Sequence, residues 1–391
     1  MNSTEKLLIE ILSAFVNERK PRITTEYNAT ELYELAKAQS VSGIVGYMLN
    51  KYGFTEFIGA EKRFKDIFDK TVAQLVRKEF YAQKLLLKLN ENEIPHIVFK
   101  GLVVKDSYPV PQLRTYGDID IIIRKSDREK SHRLMCDSGF AWELMDGGDV
   151  YSYKKAVEHY ELHTTLNSEK TKFSKRMNSF WDYTKSRGGF TYEFENEFHL
   201  SYLISHIEKH FYGSGAGVRM YLDIALFLKK HKDNLDLAKV REILKECGLE
   251  RFFDSTLFLC NKWFGIEIKP KEEMSDELFN EFCRYTFRGG VFGIQEKESC
   301  NENEVRQAVS KRGRAGKAVL LLSHIFPPYR EVRRLYPFFN GKPYLLPFGW
   351  CVHFFKAAKR SGLKNIKQIA KADVEKAKSE KEFFDQVGSK R

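Results

Sequence analysis

The spacing of apolar residues changes twice along this chain, and that change limits the folds available to it. In the first 92 residues apolar side chains recur three and four positions apart, as in Leu7–Phe15 and Lys62–Leu89, which is the period of a helix with one buried face. Between residues 94 and 166 the apolar segments become short and rich in β-branched residues, which favours strands. Helical spacing returns from Glu195 onward. The pattern predicts the α+β class, with a compact α/β core flanked by N-terminal and C-terminal helical modules.

The same changes predict the domain organisation. We expect linkers near Thr184–Gly189 and Arg288–Glu302, where the regular patterns are interrupted. Four segments result: an N-terminal helical module (1–92), the α/β core (93–190), a second helical module (191–305) and a basic, aromatic C-terminal segment (306–391).

Composition excludes several classes of protein. A chain that is 42% hydrophobic and 14% aromatic can bury a large core, which excludes global disorder. Six cysteines, none in a CxxC pair, disfavour both a disulfide framework and a zinc ribbon. The N-terminal apolar run carries Glu5 and Glu10 and lacks a basic start, so it predicts a helix and not a signal peptide. No apolar stretch reaches the roughly 18 residues of a transmembrane helix, and we expect a cytoplasmic protein.

Charge is distributed very unevenly. Residues 306–391 have a net charge of +14, whereas residues 1–305 have a net charge of −2. The basic segment contains cation clusters at 311–314 and 330–334 and an aromatic stretch at 344–355. Such a segment fits peripheral contact with an anionic membrane, a nucleic acid or an acidic protein partner. It also fits an aromatic segment docked on the body and followed by a solvated tail, and the sequence leaves these alternatives open.

The strand Asp118–Ile123 carries the strongest functional signal. Side chains alternate between the two faces of a strand, so Asp118 and Asp120 point the same way while Ile119 points to the opposite, buried side. Two carboxylates on one face repel each other unless a cation lies between them. Mg²⁺ prefers such hard oxygen ligands. An edge strand whose two acids simply face water is the alternative.

A third carboxylate is expected from the strand 157–166. Glu161 is the best candidate because its strand should lie beside that of Asp118, whereas Glu158 has the opposite parity. His163 shares the face of Glu161 and is expected near the site, where a hydrogen-bonded structural role is favoured.

Several motifs in this order resemble the bacterial nucleotidyltransferase family proteins of the DNA polymerase β-like superfamily. The resemblance covers about residues 94–166 and extends weakly into the following helices. It is carried by Phe99-Lys100-Gly101, Tyr108-Pro109, Arg114, Gly117-Asp118-Ile119-Asp120 and Glu161-Leu162-His163.

The resemblance implies a mixed sheet and a metal-dependent reaction. A nucleoside monophosphate would pass from an NTP to an acceptor hydroxyl, with release of pyrophosphate. Asp118 and Asp120 match the metal-binding pair, and Glu161 matches the acid that binds a second metal and helps to activate the acceptor. The implied cofactor is Mg²⁺ or Mn²⁺, and the acceptor is a small molecule, a peptide or protein, or an RNA.

The nucleotide-binding positions depart from the superfamily at one turn. Many relatives carry Gly-Ser there, whereas this chain carries Lys100-Gly101. We expect Lys100 to supply a cation to phosphate and Gly101 to permit close backbone approach. Arg114 and Gly117 are further candidates for nucleotide contact, with a surface or tyrosine-stacked arginine as the alternative for Arg114.

Four residues of the second helical module are candidates for the cleft wall. His206 and His210 are four positions apart, but the sequence between them is not that of a metalloprotease, which favours packing or cleft lining over metal ligation. Arg219 and Asp223 have the same spacing and are expected to pair with each other. A non-catalytic binding or scaffold protein that works through its basic C-terminal segment is the alternative to an enzyme.

Overall fold

A computed structural model describes most of this chain. The described residues are 1–23, 28–53, 61–145, 149–166, 176–213, 215–290, 305, 308–309, 314–359, 369 and 374–389. The expected linker at 288–302 lies largely outside them, and so does most of the cation cluster at 311–314.

A seven-stranded mixed sheet lies at the centre of the fold, with the strand order β3-β4-β5-β2-β1-β7-β6. Strand β2 is antiparallel to β1 and parallel to β5, and β1 is parallel to β7. The parallel pairing places Asp120 directly opposite Glu161. The strands are β1 (His96–Val98), β2 (Ile119–Ile123), β3 (Ala141–Met145), β4 (Val150–Lys155), β5 (Glu158–His163), β6 (Thr184–Gly188) and β7 (Thr191–Phe194).

Helices precede and follow the sheet, which confirms the α+β class. Six helices precede or interrupt the first strands: α1 (Ser3–Val16), α2 (Ala29–Ala38), α3 (Ser42–Lys51), α4 (Glu61–Glu91), α5 (Gly101–Val104) and α6 (Arg128–Asp137). The later helices are α7 (Asn196–Gly213), α8 (Val218–His231), α9 (Leu237–Glu246), α10 (Glu250–Phe264), α11 (Asp276–Gly289), α12 (Arg314–Ile325), α13 (Tyr329–Leu335), α14 (Leu346–Lys359) and α15 (Val374–Val387).

Both faces of the central strand β2 are covered, so all five of its residues are buried. Ile119, Ile121 and Ile123 pack in one apolar cluster with α4 and α6. Ile122 points to the other side and joins the large core built with α7 and α8. Asp120 has the same parity as Ile122, so its carboxylate faces the C-terminal helices.

The prediction of a linker at Thr184–Gly189 is wrong. Residues 184–188 form β6, which pairs antiparallel with β7 around Gly188 and Gly189 and completes one edge of the sheet. Both glycines have positive φ, the conformation that a tight turn requires and that glycine adopts without strain.

The end of the basic segment packs into the body of the protein. Phe383 and Phe384 of α15 are buried against Phe211 of α7, with ring centroids 5.9 and 5.4 Å away. Ser389 Oγ donates a hydrogen bond of 2.9 Å to the buried Glu208. The four-segment division of the chain stays a prediction. Among the helices described, none is both long enough and apolar enough to cross a membrane.

Candidate active site

Lys100 lies at the turn that follows β1, and its backbone is in an unusual conformation. Its φ is +52°, in a backbone region that residues other than glycine rarely occupy. The side chain reaches across to β2, where Lys100 Nζ lies 2.6 Å from Asp120 Oδ1. Burial opposes the charged form of Lys100, but the Asp120 carboxylate outweighs it and raises the pKa of the lysine. A charged Lys100 is therefore a fixed part of this site.

Asp120, Glu161 and His163 form a compact group. His163 Nε2 lies 2.9 Å from Asp120 Oδ1 and 3.4 Å from Glu161 Oε2. Burial would raise the pKa of Asp120, but Lys100 and the hydrogen bond from His163 outweigh it and hold that pKa well below its usual range. The hydrogen bond with His163 also lowers the pKa of Glu161. Both carboxylates are therefore ionised.

Of the three carboxylates, Asp118 has the least positive charge near it to compensate its own negative charge. Burial, and then the charges of Asp120 and Glu161, raise its pKa. Besides burial, the raised pKa reflects the negative charge of Asp120 and Glu161 at this edge of the sheet, which Lys100 offsets only in part. A further cation beside Asp118 would offset more of that charge.

The donor set fits a divalent metal ion. Asp120, Glu161 and His163 each offer a ligand atom, and the three atoms lie within 4.8 Å of one another. Two of these donors are carboxylate oxygens, and Asp118 adds a third carboxylate to the lining of the same cavity. Carboxylate oxygens are the ligands that Mg²⁺ and Mn²⁺ favour.

The opposite wall of the cavity is cationic. Arg114 donates two hydrogen bonds to Asp223 of α8, of 3.1 Å to Oδ1 and 2.8 Å to Oδ2. Tyr108 donates a third, of 2.6 Å, to Oδ1. The expected pairing of Asp223 with Arg219 is therefore wrong: Asp223 pairs with Arg114, which is buried and not a surface residue. A bidentate pair of this kind fixes both side chains.

Arg219 gives this wall more positive charge than Asp223 can neutralise. Its Nη1 donates a hydrogen bond of 2.8 Å to the Thr115 carbonyl, while its Nε is buried without a partner among the described residues. Burial and the nearby Arg114 lower the pKa of Arg219. Arg219 thus bonds to a carbonyl group while Asp223 bonds to Arg114, and an anion in the cavity would supply the negative charge that Arg219 lacks.

His206 and His210 belong to the same cavity. They lie one turn apart on α7, with ring centroids 4.6 Å from each other. Burial, followed by the proximity of His210 and Lys100, lowers the pKa of His206 well below its usual value. His206 is therefore neutral, and it contributes a polar, uncharged surface between the two charged walls.

These residues line one cavity of about 350 Å³. Of the twelve residues predicted for the site, eleven line it, and His163 lies behind Asp120 and Glu161. Sequence reasoning missed the apolar lining, although its helical spacing with His206, His210, Arg219 and Asp223 was a usable signal. The missed residues are Tyr116, Leu203, Ile207, Met220 and Ile224.

Gly101 and Gly117 differ in what an added methyl group would meet, which gives a matched pair of variants. A Cβ at Gly101 would collide with the Arg114 guanidinium and lie 2.8 Å from Tyr116 Cβ, whereas a Cβ at Gly117 meets nothing within 4 Å. We expect Gly101→Ala to lower the free energy of unfolding by about 1–3 kcal/mol. Gly117→Ala should change it by less than about 0.5 kcal/mol. Denaturant unfolding of both variants measures the difference, and equal losses would contradict this account.

Carboxylates and guanidinium groups that line one cavity are the charge arrangement that transfer of a phosphate-containing group requires, because such catalysis depends on positioning and charge neutralisation. The chain belongs to a family of uncharacterised nucleotidyltransferases, whose family model matches residues 25–265. That range includes every predicted site residue and excludes the C-terminal segment 306–391. No curated protein and no solved structure matches the chain.

Proposed function

We propose that this protein transfers a nucleoside monophosphate from an NTP to an acceptor hydroxyl in a metal-dependent reaction. One observation carries the proposal: a single cavity joins three carboxylates, on or beside strands β2 and β5, to the guanidinium groups of the buried Arg114 and the half-buried Arg219. An NTP bound with a divalent cation presents the complementary charges. Membership of a nucleotidyltransferase family supports the same substrate class.

The two walls have different roles in this proposal. Asp118 and Asp120 would hold the metal ion, which would neutralise charge on the transferring phosphate and its leaving group. Glu161 completes the ligand set and accepts the proton of the acceptor hydroxyl. The acceptor oxygen forms a bond to the α-phosphorus, the bond to the β-phosphate oxygen breaks, and pyrophosphate leaves.

The cationic wall binds the triphosphate. Arg219 supplies the positive charge that Asp223 does not neutralise. Asp223 holds Arg114 in place beside Arg219. Lys100 differs from the role expected for it: in this structure it bonds to Asp120, so its contact with phosphate remains part of the proposal. The neutral His206 and the apolar lining residues would contact the base, the sugar or the acceptor.

Transfer of label from each NTP to a cell lysate tests this function directly. We expect α-³²P-labelled NTP to leave its label on an acceptor when Mg²⁺ or Mn²⁺ is present, and EDTA to stop the transfer. γ-³²P-labelled NTP should release its label as pyrophosphate. Separating protein, RNA and small-molecule fractions identifies the acceptor class.

A scaffold protein would give the opposite result. If no NTP transfers label and calorimetry detects no metal-dependent NTP binding, the proposed function is wrong. The alternative, a binding protein that uses its basic C-terminal segment, would then explain the charge of that segment but not the paired walls of the cavity.

A further inference from the structure

Exposed apolar side chains are concentrated in one part of the C-terminal segment. Of sixteen large hydrophobic residues that are exposed in the described chain, nine lie between residues 314 and 359. Large exposed apolar patches mark sites of interaction with other proteins or membranes. We call these residues the aromatic face: Val319, Leu322, Phe326, Leu335, Phe338, Tyr344, Phe348, Phe354 and Phe355.

Helix α14 and the turn before it form the centre of this face. Tyr344, in the turn, is 75% exposed; Phe348 and Phe355 are 59% and 71% exposed, and their spacing of seven residues places them on one side of the helix. The opposite side of α14 is docked on the neighbouring elements. Trp350 Nε1 donates a hydrogen bond of 2.8 Å to the Pro327 carbonyl. The helix therefore presents its apolar side to the outside, the reverse of an ordinary surface helix.

The segment that carries the aromatic face is rich in cations. Residues 314–359 contain eight lysines and arginines but a single acid, Glu331. Lys342 Nζ lies 4.1 Å from the centre of the Phe338 ring, and Lys356 Nζ lies 4.7 Å from that of Tyr336. The surface therefore combines exposed aromatic rings with a strong positive charge.

We propose that the aromatic face docks on the surface of an anionic phospholipid bilayer. Exposed rings would enter the boundary between headgroups and acyl chains, and the surrounding cations would pair with lipid phosphates. Since no described helix crosses a membrane, the contact is peripheral. It holds the catalytic cavity near a lipid surface and is independent of the reaction proposed above.

Charge and geometry disfavour two other binding partners of the aromatic face, a second copy of this chain and a single-stranded nucleic acid. A symmetric dimer through this face would bring two strongly positive surfaces together, and like charges at an interface oppose association. Single-stranded nucleic acid stacks its bases on open aromatic faces. Here Lys342 lies over the ring of Phe338, and Phe348 and Phe355 lie on the same side of one helix. Apolar side chains on one side of a helix fit the boundary of a bilayer better than they fit separate bases.

Vesicle co-sedimentation of the full-length protein tests the proposal. We expect at least tenfold tighter binding to phosphatidylcholine vesicles that contain 30% phosphatidylglycerol than to pure phosphatidylcholine, with a marked loss of binding in 0.5 M salt. The double variant Phe348→Ser/Phe355→Ser should lower the affinity for the anionic vesicles at least tenfold. Phe80→Ser removes a phenylalanine of α4 that is 64% exposed, outside the aromatic face, and should leave binding unchanged.

Each other outcome overturns the proposal. The proposal fails if anionic vesicles do not bind, if neutral vesicles bind equally well, or if both variants lose binding equally. Tight binding of single-stranded RNA through Phe348 and Phe355 without vesicle binding would assign the face to nucleic acid. Dimerisation that the double variant abolishes, again without vesicle binding, would assign it to a second copy. Metal-dependent NTP binding, measured in parallel, reports on the cavity separately.

Discussion

If Asp118 holds the metal as proposed, Asp118→Asn is expected to lower the rate of nucleotidyl transfer by about 10³-fold, because several kcal/mol of transition-state stabilisation would depend on that metal. The same change should leave the metal-free protein at least as stable as the wild type. Burial and two neighbouring carboxylates raise the pKa of Asp118, so its charged form costs stability in the fold. Label transfer and denaturant unfolding measure the two effects.

Glu158→Gln is the matched control for this variant. Glu158 also lies in the sheet, but its side chain accepts a hydrogen bond of 2.9 Å from Tyr160 and does not line the cavity. We expect Glu158→Gln to retain wild-type activity. An Asp118→Asn variant that is active, or one that is inactive only because it has unfolded, would contradict the proposed role.

Asp223→Ala is expected to lower the free energy of unfolding by about 3–5 kcal/mol, because removing one partner of a buried ion pair leaves uncompensated buried charge. Asp223 accepts two hydrogen bonds from Arg114 and one from Tyr108. Without it, Arg114 and Arg219 would lie together in the core with no carboxylate between them. Urea denaturation of the metal-free protein gives the size of the loss.

A solvent-accessible ion pair provides the comparison. Asp106 pairs with Lys105 at 3.0 Å, and its side chain is 43% exposed. We expect Asp106→Ala to cost less than about 1 kcal/mol, as is usual for pairs at the surface. If Asp223→Ala costs as little as Asp106→Ala, the Arg114–Asp223 pair does not anchor the cationic wall.

Local periodicity was sufficient to predict the acidic wall. Alternation along a strand places Asp118 and Asp120 on one side, and the expected neighbouring strand brings Glu161 opposite Asp120, as the register of β2 and β5 confirms. These relationships involve one strand and its immediate partner, so they follow from the repeat of two residues. The roles assigned to the three acids stay predictions.

The cationic wall depends on contacts that local spacing does not encode. Arg219 and Asp223 have the spacing of a helical ion pair, yet Asp223 bonds to Arg114, 109 positions earlier in the chain. The packing of α8 against the turn before β2 determines that choice. Strand β6 was missed for a different reason: its charged, exposed residues resemble a linker, although Gly188-Gly189 indicated a turn.

The packing of α15 against α7 also affects the order in which the chain folds during its synthesis. Helix α7 lines the cavity with His206 and His210, and Phe211 of the same helix packs on Phe383 and Phe384. The ribosome completes α7 long before it reaches these phenylalanines, and at 5–20 residues per second the interval is on the order of ten to thirty seconds. During that interval Phe211 lacks its final covering on the nascent chain. Packing around Phe211 of α7 is therefore completed well after the residues of α7 have been synthesised.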